Sequence, residues 1–164
     1  DTCGEARHDG VHTFHLEEGS TVRYIERHYG EGDPNGKKEF TPVTRVFLKK
    51  GSTLIMESTQ LGGVTYTDRL TTATVGKNAR LIVKEKIMTS GSERAISRFK
   101  VKLTGENSTA DVVSRSVALF LPGRQHFVDQ TVFLRFGSGH PVIAVGILLD
   151  LFDGYARMQS EYFV

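Results

Sequence analysis

At 164 residues the chain is long enough for one domain with a substantial core and short for two. A hydrophobic share of 38% beside 24% charged residues describes a folded chain and excludes disorder. The net charge is only +2, with both signs spread along the chain, which excludes a nucleic-acid surface built on bulk charge.

No apolar run approaches the roughly 20 residues that span a bilayer. The longest, residues 142–149, has strand length and contains Gly146. One cysteine, Cys3, leaves no internal disulfide framework and gives no support for secretion. The expectation is a cytoplasmic protein with neither nucleic acid nor membrane as partner. The chain starts at Asp1 rather than Met and finishes on an apolar Tyr162-Phe163-Val164, so it is expected to be a fragment of a longer chain.

Along the chain one pattern returns: alternating apolar residues, a turn glycine, then alternation again. It occupies residues 14–24, 46–56, 73–83 and 101–112, around Gly19, Gly51, Gly76 and Gly105. The glycine spacings are 32, 25 and 29. A fifth copy surrounds Gly154, and a weaker one Gly123. Alternation of period two puts one set of side chains on an inner face, and the glycine supplies the left-handed backbone that a tight corner needs. No such unit buries its apolar face alone, whereas stacked copies build one continuous core. An antiparallel sandwich with hairpin glycines is the competing architecture, but a meander turns every 8 to 12 residues or so. The longer spacing suits one full coil per repeat. The expected fold is therefore all-β, a right-handed parallel β-helix, with residues 1–164 forming a single domain.

Two stretches break the pattern. Residues 30–39 are polar and rich in turn formers, and read as a surface loop between coils. Residues 90–96 are the one place where a helix is conceivable.

Several phrases carry a resemblance. They are Gly10-Val11-His12-Thr13-Phe14, Tyr24-Ile25-Glu26-Arg27-His28-Tyr29-Gly30, Gln60-Leu61-Gly62-Gly63-Val64 and Glu85-Lys86-Ile87-Met88-Thr89-Ser90-Gly91. Leu103-Thr104-Gly105-Glu106-Asn107-Ser108, Ser114-Arg115-Ser116-Val117-Ala118 and Gly139-His140 continue them. In this order and spacing, over residues 10–140, they resemble the SufB/SufD family of iron–sulfur cluster assembly proteins, in its shorter, SufB-like type. The resemblance implies a right-handed parallel β-helix core. It also implies a cytoplasmic, non-catalytic scaffold that works with SufC, an ABC-type ATPase. That subunit docks on a helical region after the β-helix, which lies beyond this chain. A SufB/SufD-like paralogue or a second copy is the implied scaffold partner.

The chain departs from the family at one chemically decisive place. Family scaffolds use a late-coil cysteine as sulfur acceptor and cluster ligand, because a thiolate is both nucleophile and soft iron ligand. After Gly139-His140 this chain reads Pro141-Val142-Ile143-Ala144-Val145, without cysteine. One thiol cannot supply four ligands to a cluster. No cofactor is expected in this chain alone; an iron–sulfur cluster belongs to the full complex. A SufD-like structural role, ligands from another chain, and loss of the chemistry all stay open.

Gln125, Asp129 and His140 follow in an order that resembles the late β-helix where two scaffold subunits meet. They are the cofactor-binding candidates that the resemblance supplies, with His126 beside them and His140 the best single choice. A second group comprises His12, His15, Glu26 and His28. On a strand His12 and His15 point to opposite faces, while Glu26 and His28 share one. A cupin metal site needs His-x-His rather than the His-x-x-His found here. Solvated or interfacial histidines are the expected reading. Arg115 lies on the opposite face from Ser114 and Ser116, and no phosphate loop or nucleophile elbow occurs. Two other functions compete: a carbohydrate-active β-helix enzyme (a polysaccharide lyase or hydrolase), which needs carboxylate pairs and aromatic platforms in a groove, and a purely structural solenoid.

Overall fold

A computed structural model describes residues 5–30, 36–119, 127–136 and 156–163. Each stretch with period-two alternation is a strand: β1 (Glu5–His8), β2 (Val11–Leu16), β3 (Thr21–Tyr29), β4 (Lys37–Phe40), β5 (Val43–Leu48) and β6 (Thr53–Leu61). They continue with β7 (Tyr66–Val75), β8 (Arg80–Ser90), β9 (Arg94–Leu103), β10 (Thr109–Leu119), β11 (Phe127–Phe136) and β12 (Ala156–Phe163). Among the described residues there is no helix.

Every strand pairing is parallel, in two sheets. One runs β1-β4-β7-β9-β11-β12, with β2 and β5 alongside; the other runs β10-β8-β6-β3. The chain alternates between them: β1 and β2 then β3, β4 and β5 then β6, β7 then β8, β9 then β10. The result is a parallel β-solenoid of about four turns. A hairpin sandwich would pair successive strands antiparallel, so that alternative falls.

The corners refine the repeat. Thr21, Thr53, Arg80 and Thr109 are in register, which gives successive coils of 32, 27 and 29 residues. The left-handed residue is Gly19 and Gly51 in the first two coils, with φ of 68° and 70°. In the next two coils it is Asn78 and Asn107, each at 54°, not Gly76 and Gly105. Asparagine tolerates this conformation better than other side chains because its amide bonds locally. Here the Asn107 amide donates to Asn78 Oδ1 at 3.2 Å, one coil to the next. Gly76 and Gly105 are glycines for another reason: a Cβ would stand 2.7 Å from the Leu48 carbonyl at the first and 2.0 Å from the Lys77 nitrogen at the second.

Two local expectations are corrected. Residues 90–96 form no helix: β8 ends at Ser90, the Glu93 carboxylate accepts from the Ser90 and Gly63 amides, and β9 begins at Arg94. The polar stretch of residues 30–39 is not wholly loop, because Lys37–Phe40 joins the sheet as β4 against β1. Residues 31–35 lie outside the described residues, as do Gly123 and Gly154.

The inner faces divide lengthwise. Beside the glycine and asparagine corners the lumen is apolar: Leu16, Leu48, Val75 and Leu103 stack in register, facing Leu54, Leu81 and Ala110. Fully burying one such aliphatic side chain stabilises the fold by about 1.5–3 kcal/mol. Toward the other corner the inner positions turn polar.

Candidate functional site

The polar half of the lumen follows from register. Glu26 of β3, Ser58 of β6, Glu85 of β8 and Ser114 of β10 occupy one inward column. Two carboxylates in one column repel unless a cation intervenes, and Arg69 supplies it from β7 across the lumen. Its Nη1 lies 3.5 Å from Glu26 Oε2, and its Nε lies 3.6 Å from Glu85 Oε1. Arg69 Nη1 also donates to Ser58 Oγ between them. Ser97, the register neighbour of Arg69, donates to Glu85 Oε1 at 3.0 Å, and Ser114 donates to Glu85 Oε2 at 2.7 Å. One layer over, Thr67 donates to Gln60 Oε1 at 3.1 Å. The Arg69 guanidinium stacks over the Phe40 ring at 5.4 Å.

At the β1–β3 end of the stack the seam meets histidines. His28 Nε2 lies 2.5 Å from Glu26 Oε1, outside hydrogen-bond alignment. His12 Nδ1 is 4.0 Å from the same oxygen and 3.3 Å from the Tyr24 hydroxyl. The His28 ring packs 4.1 Å from the Phe40 ring, and His8 lies 5.5 Å from Phe40 and 6.5 Å from His28. A cleft of about 330 Å³ opens there, lined by Arg7, His8, His28, Tyr29, Lys38 and Phe40 among others.

Electrostatics follow from this geometry. Burial by itself would raise the Glu26 carboxyl, but His28, Arg69 and His12 together outweigh it and hold the pKa below 4.5. Tyr24 is pushed up, first by burial and then by the Glu26 charge. A carboxylate held ionised makes a poor general acid, and Glu85, with 1% of its side chain exposed, is out of reach of any substrate. The seam therefore uses its charges on each other, tying four coils across the lumen.

The outer face pairs charges between adjacent coils. Glu17 accepts from Lys49 at 2.7 Å, Glu57 from Arg23 at 2.8 Å and Glu106 from Lys77 at 2.5 Å, while Asp68 binds Arg98.

The sequence-derived candidates fare differently. His12 and His15 do point opposite ways: His12 faces Glu26, and His15 stacks on the Phe47 ring at 4.7 Å outside. Glu26 and His28 share the inner face. They are half-buried lumen residues rather than solvated ones. Among the described residues no set of three or more His, Cys, Asp and Glu side chains is arranged to hold a metal ion. Arg115 is exposed between buried Ser114 and Ser116, as alternation requires. Asp129 lies in β11 opposite Ile96 of β9 and Arg157 of β12. Gln125, His126, His140 and Cys3 lie outside the described residues.

Arg69 and Glu85, the two most deeply buried charges of the seam, were missed from sequence. The signal was available: in Thr67-x-Arg69-x-Thr71-x-Ala73-x-Val75 and Leu81-x-Val83-x-Glu85-x-Ile87 each charge falls on the apolar phase of its strand.

Together the fold and the seam define a parallel β-solenoid with a lumen half apolar and half ion-paired. Comparison with protein-family models, with curated proteins and with solved structures returns no match.

Proposed function

We propose that this chain is a non-catalytic scaffold component of SUF-type iron–sulfur cluster assembly, working in the cytoplasm with a SufC-like ABC-type ATPase and a SufB/SufD-like paralogue or second copy. The observation that carries this reading is the placement of the resembling phrases. Tyr24 to Gly30, Gln60 to Val64 and Glu85 to Gly91 occupy one edge of three successive coils, with His28, Gln60 and Ile87 in register. The Gly30 amide donates to the Gly62 carbonyl, and the Gly62 amide to the Met88 carbonyl, each at 3.2 Å. The resembling phrases thus share a repeated structural position, which supports the reading. The cluster is cargo in this reading, and the chain's role is to present a rigid stack to its partners. A polysaccharide-cleaving role fits less well, since the outer carboxylates Glu17, Glu57, Asp68 and Glu106 are each neutralised by a lysine or arginine.

The test is co-expression of the full-length protein with the ABC-type ATPase of the same organism, followed by anaerobic supply of iron and sulfide. Stable co-purification is expected. An ATPase that does not co-purify refutes the proposal, and co-purification without cluster uptake assigns the SufD-like, structural version of it.

A further inference from the structure

The outer face of the four-stranded sheet carries a column of cations. Arg27, Thr59, Lys86 and Arg115 form one column in register, and Lys86 and Arg115 are direct cross-strand partners. Like charges directly opposite each other destabilise a sheet. Yet none of the three cations has an ion pair or side-chain hydrogen bond among the described residues. The acid in the next column, Glu57, is taken by Arg23 at 2.8 Å and Lys84 at 3.9 Å, although Lys86 still contributes to lowering its pKa.

Two residues along each strand runs a second column: Tyr29, Leu61, Met88 and Val117. Tyr29 is 62% exposed and Leu61 50%, and Met88 and Val117 are half-buried. Between the columns lies a groove of about 230 Å³ bordered by Thr59, Leu61, Lys86, Met88, Arg115 and Val117. A row of cations without ion pairs beside a partly exposed apolar row is a two-part recognition surface.

We infer that this groove docks an acidic amphipathic helix of a partner protein. Anions are required by the unpaired column, and an apolar stripe by the column beside it. Nucleic acid would satisfy the first and leave Leu61, Met88 and Val117 facing backbone phosphate. A strand is disfavoured because the groove lies on the face of a sheet whose backbone groups are already paired. A helix fits the spacing. Coils repeat about every 4.7–4.9 Å, and helical residues three or four apart are separated by about 4.5 and 6 Å. Four coils therefore match about three turns of helix, with an apolar row on one column and Glu or Asp on the other. This surface lies outside the lumen and stands whether or not the scaffold reading holds.

The probe is a fluorescein-labelled, Leu- and Glu-patterned helical peptide of about 18 residues, followed by anisotropy against the full chain, with a scrambled peptide of the same composition as control. Binding in the micromolar range, at least tenfold tighter than the scrambled control, is expected. Lys86→Glu with Arg115→Glu should weaken it at least tenfold and flatten its salt dependence. Leu61→Ser with Met88→Ser should weaken it as much while leaving the salt dependence in place. All four side chains face outward, and an unchanged circular dichroism spectrum checks that the variants fold. Equal binding of patterned and scrambled peptides overturns the inference. So does displacement of the peptide by an equimolar oligothymidylate, which would assign the column to nucleic acid. A dimer in light scattering that Lys86→Glu dissociates would also overturn it, assigning the face to a second copy.

Discussion

Arg69→Met tests whether the lumen seam is the desolvated electrostatic tie that its geometry describes. Arg69 has 7% of its side chain exposed and touches Glu26 at 3.5 Å and Glu85 at 3.6 Å. At an effective dielectric of about 20, each contact is worth about 4–5 kcal/mol of Coulomb attraction. Desolvation of the guanidinium offsets much of that sum. Removing the arginine alone leaves Glu85 buried without a cation and Glu26 with only His28 and His12 beside it, and breaking such a buried pair destabilises by about 3–5 kcal/mol. That is a large fraction of the stability of a domain this size, typically about 5–15 kcal/mol. Urea unfolding at neutral pH, followed by far-ultraviolet circular dichroism and extrapolated linearly, measures it. The loss should be repaired by also removing the orphaned charges. The triple change Arg69→Met, Glu26→Gln, Glu85→Gln should recover most of the stability, because the amide at 85 keeps Ser97 and Ser114 as partners and the amide at 26 keeps His28 beside it. A loss below about 1 kcal/mol for Arg69→Met, or a triple variant no better than the single, would refute a buried ionic seam.

The remaining predictions address titration, corners and core. Because the folded pKa of Glu26 lies below 4.5, its ionised form stabilises the fold above the ordinary carboxylate range, and this contribution is lost as pH falls through the lowered value. The stability gap between the parent and Glu26→Gln should therefore shrink as pH falls below the ordinary carboxylate range, and a gap that stays constant as pH falls would contradict the assignment. Gly105→Ala, whose Cβ would meet the Lys77 backbone at 2.0 Å, should destabilise by about 1–3 kcal/mol, whereas Asn78→Gly should be close to neutral in the same urea assay. Asn107→Ala, which places an ordinary side chain at φ 54°, should cost about 1–2 kcal/mol. Phe99→Ala removes the largest fully buried ring among the described residues and should lower stability by about 3–5 kcal/mol.

Much of the architecture was legible before any coordinates, because period-two alternation and a recurring corner are local signals. Residues 46–56 and 101–112 show both, and each became a strand, a turn and a strand of one coil. The corner chemistry was legible only in part. Glycine serves two needs, positive φ and close approach, and sequence does not separate them. Gly51 meets the first and Gly105 the second, while Asn107 takes the left-handed place. Residues 90–96 left a helix conceivable; in the fold Ser90-Gly91-Ser92-Glu93 is the break of one turn between β8 and β9. The seam was half legible. Glu26 and His28 sit two apart and had to share a face, but the cation between Glu26 and Glu85 comes from the opposite sheet. Contact across a lumen depends on the register of two sheets, and no single strand encodes it.

That dependence gives the seam a role in specifying the fold as well as holding it. The apolar half of the lumen is tolerant, since Leu, Val and Ala interchange among its columns and a slipped coil would still bury aliphatic carbon. The ionic half is not. A one-residue slip of β7 against β9 would turn Arg69 outward and bring Asp68 or Leu70 into the lumen opposite Glu26 and Glu85. Glu85 would then be buried without a cation and Glu26 would lose its guanidinium, at about the same several kcal/mol that Arg69→Met removes. A two-residue slip would put Thr67 or Thr71 there, with no charge to offer. Of the registers within two residues, only the native one places a guanidinium between two glutamates. The buried ions thus penalise wrong stackings more than they stabilise the right one, and a solenoid whose coils otherwise resemble one another gains a single alignment of its two sheets from three charged side chains.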